Sequence, residues 1–156
     1  MEPAADQTIK GCASGINAGR LQALHHIGDV AYATGMEQKW DYYLAQLRSV
    51  TAVPISVNRG NHEEDSALPQ SSTYYKSEDS GGECGMSTRF RLPQPEPADA
   101  NGWFTTRTGP VTTVFWATEY ENGPGSSQYD YLKATLAGIN RTETPWVLVA
   151  GHRPIY

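Results

Sequence analysis

Hydrophobic residues near the start of the chain recur at helical spacing. Ile9, Cys12, Ala13 and Ile16 share one face, and the pattern stops near Gly19. Residues 21–27 then read as a short strand ending at Gly28. A second stripe, Met36, Trp40, Tyr43, Leu44 and Leu47, predicts another helix, and residues 51–57 predict the next strand, whose exit is Arg59-Gly60-Asn61-His62. From Glu64 to Asn101 the periodicity dissolves into Ser, Pro, Gly, Glu and Asp, which predicts a long surface loop of the functional or mobile kind. Residues 103–108 and 111–117 flank Gly109-Pro110 like a hairpin with one buried face. Ser127-Gln128-Tyr129-Asp130 reads as a capping box for a helix carrying Tyr129, Leu132, Leu136 and Ile139 on one face. The apolar run 146–150 predicts a strand buried on both faces. Helix and strand thus alternate in a chain of one-domain length, and the fold class is α/β.

Composition narrows what such a domain can do. The chain has 156 residues, 38% of them hydrophobic, with Gly and Pro spread throughout, so it reads as globular and soluble. A formal charge of -5 without any Lys/Arg cluster argues against nucleic acid or an anionic membrane as the main partner. A small anionic substrate would then need local positive charge, which a metal can supply. No apolar run approaches the roughly 20 residues of a membrane span, and Glu2-Pro3-Ala4-Ala5-Asp6 after Met1 is not a signal peptide. Cys12 and Cys84 are free to pair or to stay reduced, and Cys12 on an apolar stripe reads as a buried thiol. Asn140-Arg141-Thr142 is a glycosylation sequon, meaningful if the chain is secreted.

Three strings with ligand chemistry sit where predicted strands give way to loops, the place where open α/β sheets gather their ligands. They are Gly28-Asp29-Val30-Ala31-Tyr32, Gly60-Asn61-His62-Glu63 and Val149-Ala150-Gly151-His152. Asp29 has two carboxylate oxygens and suits a bridge between two cations, although Gly-Asp after a strand is also an ordinary turn. Tyr32 reads as packing or, beside a strongly Lewis-acidic ion, as a phenolate ligand. Asn61 offers a hard amide oxygen, and His62 a nitrogen for a phosphate oxygen or a proton; the pair also fits a plain turn. Glu63 and Glu64 read as an acidic environment supporting a charged His62. His152 is a structural histidine or a metal ligand. His25 and His26, adjacent on a strand and facing opposite sides, read as packing or supporting groups.

Assembled, these strings resemble the GDxxY, GNHE and VxxH motifs of the calcineurin-like metallophosphoesterases, and within them the purple acid phosphatases of the plant-type large form. Residues 80–85, 140–146 and 151–156 resemble further segments of those proteins. The resemblance implies a four-layer α/β/β/α sandwich, of which residues 1–156 form a partial catalytic domain with a long loop insertion at about 64–101. It implies an acid phosphatase that hydrolyses small phosphate monoesters at a binuclear centre of Fe(III) and a divalent Zn, Mn or Fe. Asp29 would bridge the ions, Tyr32 would bind the ferric one, and Asn61 and His152 the divalent one. His62 would contact the phosphate and protonate the leaving group, with Asn61 beside it at the substrate. The family's DxG and GHxH motifs have no counterpart in this chain, so weak or absent turnover is expected of it. Asn58-Arg59 stands where small or apolar residues are usual. The resemblance further implies a secreted or vacuolar glycoprotein and is compatible with a homodimeric full-length protein. The rival readings are a phosphodiesterase or protein phosphatase on the same fold, with Tyr32 merely packed, and a truncated, non-catalytic binding module.

Overall fold

The computed structural model describes residues 3–64, 79–95 and 102–155. The expectations for 65–78 and 96–101 lie outside the described residues. Helix α1 spans Pro3–Asn17, strand β1 Leu24–Ile27 and helix α2 Glu37–Leu47. Strand β2 spans Ile55–Asn58, and the one-turn helix α3 Asn61–Glu64. Helix α4 covers Met86–Arg91, followed by strands β3 (Phe104–Thr108) and β4 (Val111–Phe115). Helix α5 (Ser127–Gly138) and strand β5 (Trp146–Ala150) complete the order.

Two strands are shorter than the hydrophobic pattern suggests, because neighbouring helices consume the intervening backbone. Arg20 and Leu21 both donate backwards to the Gly15 carbonyl to close α1, so β1 begins only at Leu24. Arg48–Val50 continues α2 as a 3₁₀ turn, and the hydroxyls of Ser49 and Thr51 bond the carbonyls of Gln46 and Arg48, which delays β2 to Ile55. Helix α4 lies in the stretch where no periodicity was visible. The predicted capping box is displaced by one residue. Ser126, not Ser127, caps α5 by accepting from the Tyr129 N–H.

The strands form two sheets. In the first, β1 runs parallel to β2 in the register Leu24↔Ile55 to Ile27↔Asn58. In the second, β3 and β4 form the expected antiparallel hairpin, and β5 joins β4 in parallel, Val111↔Trp146 to Phe115↔Ala150. One face of the first sheet is covered by α1 and α2, where Val30, Trp40, Tyr43, Leu47, Val50 and Val57 form a buried cluster flanked by Ile9, Cys12, Ala13 and Ile16. Its other face meets the second sheet. His25 stands edge-on to Phe115 at 5.0 Å and reaches the Thr113 hydroxyl, while His26, pointing the other way, bonds the Tyr43 hydroxyl. Helix α5 docks on the far side: Tyr131 meets Thr105, and the Gln128 amide pairs with the N–H and carbonyl of Ala117. Helix, sheet, sheet and helix are the layers of the expected α/β/β/α sandwich.

Strand β5 departs from expectation. Trp146, Leu148 and Val149 are at least half exposed, and among the described residues β5 pairs with β4 alone, so the run is not buried on both faces by these residues. On α5 the buried residue is Gln128, whereas Leu136 is exposed, so amide bonds to the backbone anchor this helix more than its apolar stripe does. Among the described residues no helix is long and apolar enough to cross a membrane.

Phe115 is fully buried between the sheets, stacked on Phe104 at 4.4 Å. Phe115→Ala is expected to destabilise the chain by about 3–5 kcal/mol, read as a lower urea midpoint with an unchanged slope.

Candidate metal centre

The parallel registers fix where the chemistry lies. Because β1 and β2 run side by side and β5 runs parallel to β4 across the sandwich, the loops leaving all three strands emerge at one end. They carry Asp29, Asn61-His62 and His152. The Nε2 atom of His152 is 3.2 Å from Oδ1 of Asp29 and 3.1 Å from Oδ1 of Asn61. The other carboxylate oxygen of Asp29, Oδ2, accepts from the Tyr32 hydroxyl at 2.8 Å and lies 4.0 Å from Nε2 of His62. The two oxygens of Asp29 therefore face two halves of one centre, with Asn61 and His152 on one side and Tyr32 on the other. His62 packs its ring on Tyr32, with centroids 4.5 Å apart.

Close approach of the loops depends on two glycines. A Cβ on Gly28 would stand 2.6 Å from Nδ1 of His152 and 2.9 Å from the Gly60 nitrogen. One on Gly60 would stand 2.7 Å from the Asp29 nitrogen and 2.8 Å from Nε2 of His152. No side chain fits at either position without pushing the ligand residues apart.

The loop after β1 is strained where its chemistry sits. Asp29 and Tyr32 hold φ of 53° and 47°, in the left-handed region that costs non-glycine residues roughly 1–2 kcal/mol each. Buried carboxylates hold it there. Glu63, 1% exposed, accepts from the N–H groups of Asp29, Val30 and Gly60 at 2.7–3.0 Å. Burial pushes the Glu63 carboxyl up to about 7, against the three N–H donors, which favour its charged form. Glu83 holds the far end of the loop through the Gly35 N–H and also receives the indole N–H of buried Trp40. Neither role was legible in the sequence.

The expectation that Glu63 and Glu64 surround His62 with negative charge is corrected by the structure. Glu63 points into the backbone of the neighbouring loop, and Glu64 is held by Arg59 at 2.5 Å and by the Tyr120 hydroxyl. The groups that face His62 are the Asp29 carboxylate and the Asp79 carbonyl, which meets Nδ1 at 3.1 Å. Arg59, unexpected beside the Gly60 string, is buried as the counter-ion of Glu64; burial alone would lower its pKa, but Glu64 and Tyr120 raise it. Asn58 is fully buried and donates to the Trp116 carbonyl at 2.7 Å, joining the two sheets at the site end. Burial lowers the pKa of both His25 and His26, which disfavours their charged forms. Cys12 and Cys84 are both free. Asn140 is exposed in the turn after α5, where its Oδ1 accepts from the Thr142 N–H and its Nδ2 donates to Glu143.

The donor set can be tested for fit to a cation. The Nδ1 atom of His152 is 3.1 Å from the Ile27 carbonyl, which only accepts, so Nδ1 carries a proton and Nε2 is the nitrogen turned to the site. The amide of Asn61 gives its NH₂ to Asp79 at 2.7 Å, which turns the oxygen inward. The His152 nitrogen is then 3.1–3.2 Å from an oxygen of Asn61 and one of Asp29, close to the edges of about 3.0–3.4 Å expected around an ion with bonds of about 2.1 Å. Nitrogen, amide oxygen and carboxylate are a donor set that fits a divalent cation. Among the described residues no three His, Cys, Asp or Glu side chains form such a cluster by themselves; Asn61 and Tyr32 extend the set.

Comparison with known proteins agrees with this geometry. The calcineurin-like phosphoesterase family model matches residues 7–156. A "probable inactive purple acid phosphatase 9" of Arabidopsis thaliana is 37% identical over 147 residues, covering 84% of this chain and 23% of the relative. An "Fe(3+)-Zn(2+) purple acid phosphatase 12" from the same plant is 29% identical over 151 residues, 90% of this chain and 30% of the relative. The structure of purple acid phosphatase PPD1 from yellow lupin (Lupinus luteus) seeds superposes with a TM-score of 0.90 at 30% identity, covering 97% of this chain and 26% of that one. The chain spans about a quarter of the length of these relatives. It belongs to the calcineurin-like phosphoesterase family, and the relatives it resembles there include purple acid phosphatases and a "nucleotide pyrophosphatase/phosphodiesterase" of Hordeum vulgare, 33% identical over 129 residues.

Proposed function

We propose that this chain is part of a phosphoric monoester hydrolase of the purple acid phosphatase type, working on small phosphate monoesters with Fe(III) and a divalent Zn, Mn or Fe. The observation that carries the reading is the division of Asp29, with one oxygen facing Asn61 and His152 and the other facing Tyr32. A lone structural aspartate has no need of that arrangement, whereas a carboxylate shared by two cations does.

On this reading Asn61 and His152 would hold a divalent ion and Tyr32 a ferric one, with Asp29 serving both. Two such ions supply charge neutralisation for the phosphoryl oxygens and acidify water at the site. His62 is the chain's own acid. Its Nδ1 is occupied by the Asp79 carbonyl, which leaves Nε2, on the Asp29 side and partly open to solvent, to contact a phosphate oxygen and give a proton to the departing alkoxide. The Tyr32 ring limits the swing of that imidazole. The family's DxG and GHxH motifs have no counterpart in residues 1–156, so this chain alone is expected to turn over weakly or not at all. The same reading places the parent protein in a secretory or vacuolar setting with Asn140 as a glycan acceptor, and it allows a homodimer.

Three outcomes test it. The chain, supplied with iron and zinc, is expected to cleave p-nitrophenyl phosphate far more slowly than intact purple acid phosphatases do; a comparable rate contradicts the proposal that it is only part of the site. In the full-length iron-loaded protein, Tyr32→Phe is expected to abolish a visible tyrosinate-to-iron absorption band. An unchanged band, or none in the parent, assigns the protein to another branch of the superfamily. Gly60→Ala is expected to weaken zinc binding by at least tenfold in calorimetry while the circular dichroism spectrum is kept, since its Cβ intrudes between Asp29 and His152.

A further inference from the structure

We propose that Asp79 is a positioning residue of this centre, setting the direction of the Asn61 amide with its carboxylate and the tautomer of His62 with its backbone carbonyl. The proposal rests on the metal reading above but makes a separate claim about how two of its residues are aimed.

An asparagine amide presents two nearly equal faces, one that donates and one that accepts, and the wrong face would put N–H groups against a cation. A carboxylate accepts only. With Oδ2 of Asp79 at 2.7 Å from the Asn61 amide, the NH₂ has to face Asp79 and the oxygen has to face His152. The Asp79 carbonyl, 3.1 Å from Nδ1 of His62, likewise accepts only, so Nδ1 carries a proton and Nε2 is the nitrogen left for chemistry. One residue therefore settles the orientation of two consecutive side chains.

Asp79 can act so because its own position is fixed from the core side. The next residue, Ser80, is fully buried, and its hydroxyl accepts from the N–H groups of Glu83 and Cys84, closing a tight turn. Glu83 in turn is tied to Trp40 in α2 and to Gly35 in the loop of Asp29 and Tyr32. The turn at 79–85 thus connects the hydrophobic core to the Asn61-His62 pair through a short series of hydrogen bonds. Groups that orient a metal ligand in this way are worth roughly 10–100-fold in metal affinity.

The test uses this chain and Zn²⁺ alone. Asp79→Ala removes the carboxylate but keeps the backbone carbonyl. It is expected to weaken zinc binding 10–100-fold in calorimetry with little change in the thermal midpoint of the metal-free chain, and Asp79→Asn, which keeps an acceptor oxygen, is expected to recover part of the loss. In NMR spectra without metal, the Asn61 side-chain NH₂ of the parent chain is expected to show one downfield, slowly exchanging proton, lost in Asp79→Ala. Zinc affinity equal to that of the parent, or Asn61 signals that do not move in Asp79→Ala, overturns the proposal. If the parent chain binds no zinc, the NMR comparison alone upholds or overturns the positioning role.

Discussion

The site depends on one buried carboxylate. Glu63 sits on the turn after β2, yet its oxygens are spent on backbone N–H groups from two loops: Asp29 and Val30 after β1, and Gly60 after β2. The donors of Val30 and Gly60 are buried and that of Asp29 is partly so, and leaving a buried one unpaired costs about 1–3 kcal/mol. Burial makes the carboxylate reluctant to ionise, and the convergent N–H groups offset that only in part. The parallel register that sets Ile27 opposite Asn58 aligns the two loops, and Glu63 ties them together.

That tie allows strain to persist at the chemistry. Asp29 and Tyr32 occupy backbone conformations that neither would choose in isolation, and the loop between Gly28 and Gly35 keeps them because its N–H groups are committed to Glu63 at one end and Glu83 at the other. Glycine at 28 and 60 then lets the strand ends approach until side-chain atoms from three loops are about 3 Å apart. Side-chain chemistry is thus placed by backbone hydrogen bonding.

Contact between the two sheets extends the arrangement to His152. His25 against Phe115 and Thr113, and Asn58 against the Trp116 carbonyl, lock β1 and β2 onto β4. Strand β5, parallel to β4, then delivers His152 to the same end. Just beyond it, Arg153 is held by a two-point pair with Glu119, 2% exposed, which keeps the exit of β5 in place.

By itself the sequence determined the alternation of helix and strand, the hairpin at Gly109-Pro110 and the three strings at strand exits. These are local properties, written in periodicity and in residue types whose chemistry is unusual at a turn. Strand ends at Leu24 and Ile55 and the cap at Ser126 were decided by hydrogen bonds and neighbours that no local pattern encodes. The same holds within the site. Asp29, Tyr32, Asn61, His62 and His152 were legible because their side chains are chemically distinctive, whereas Glu63, Asp79 and Glu83 look like ordinary surface acids in the sequence. Only the tertiary structure, by burying or aiming those carboxylates at backbone and amide donors from distant segments, makes them the groups that hold the others in place.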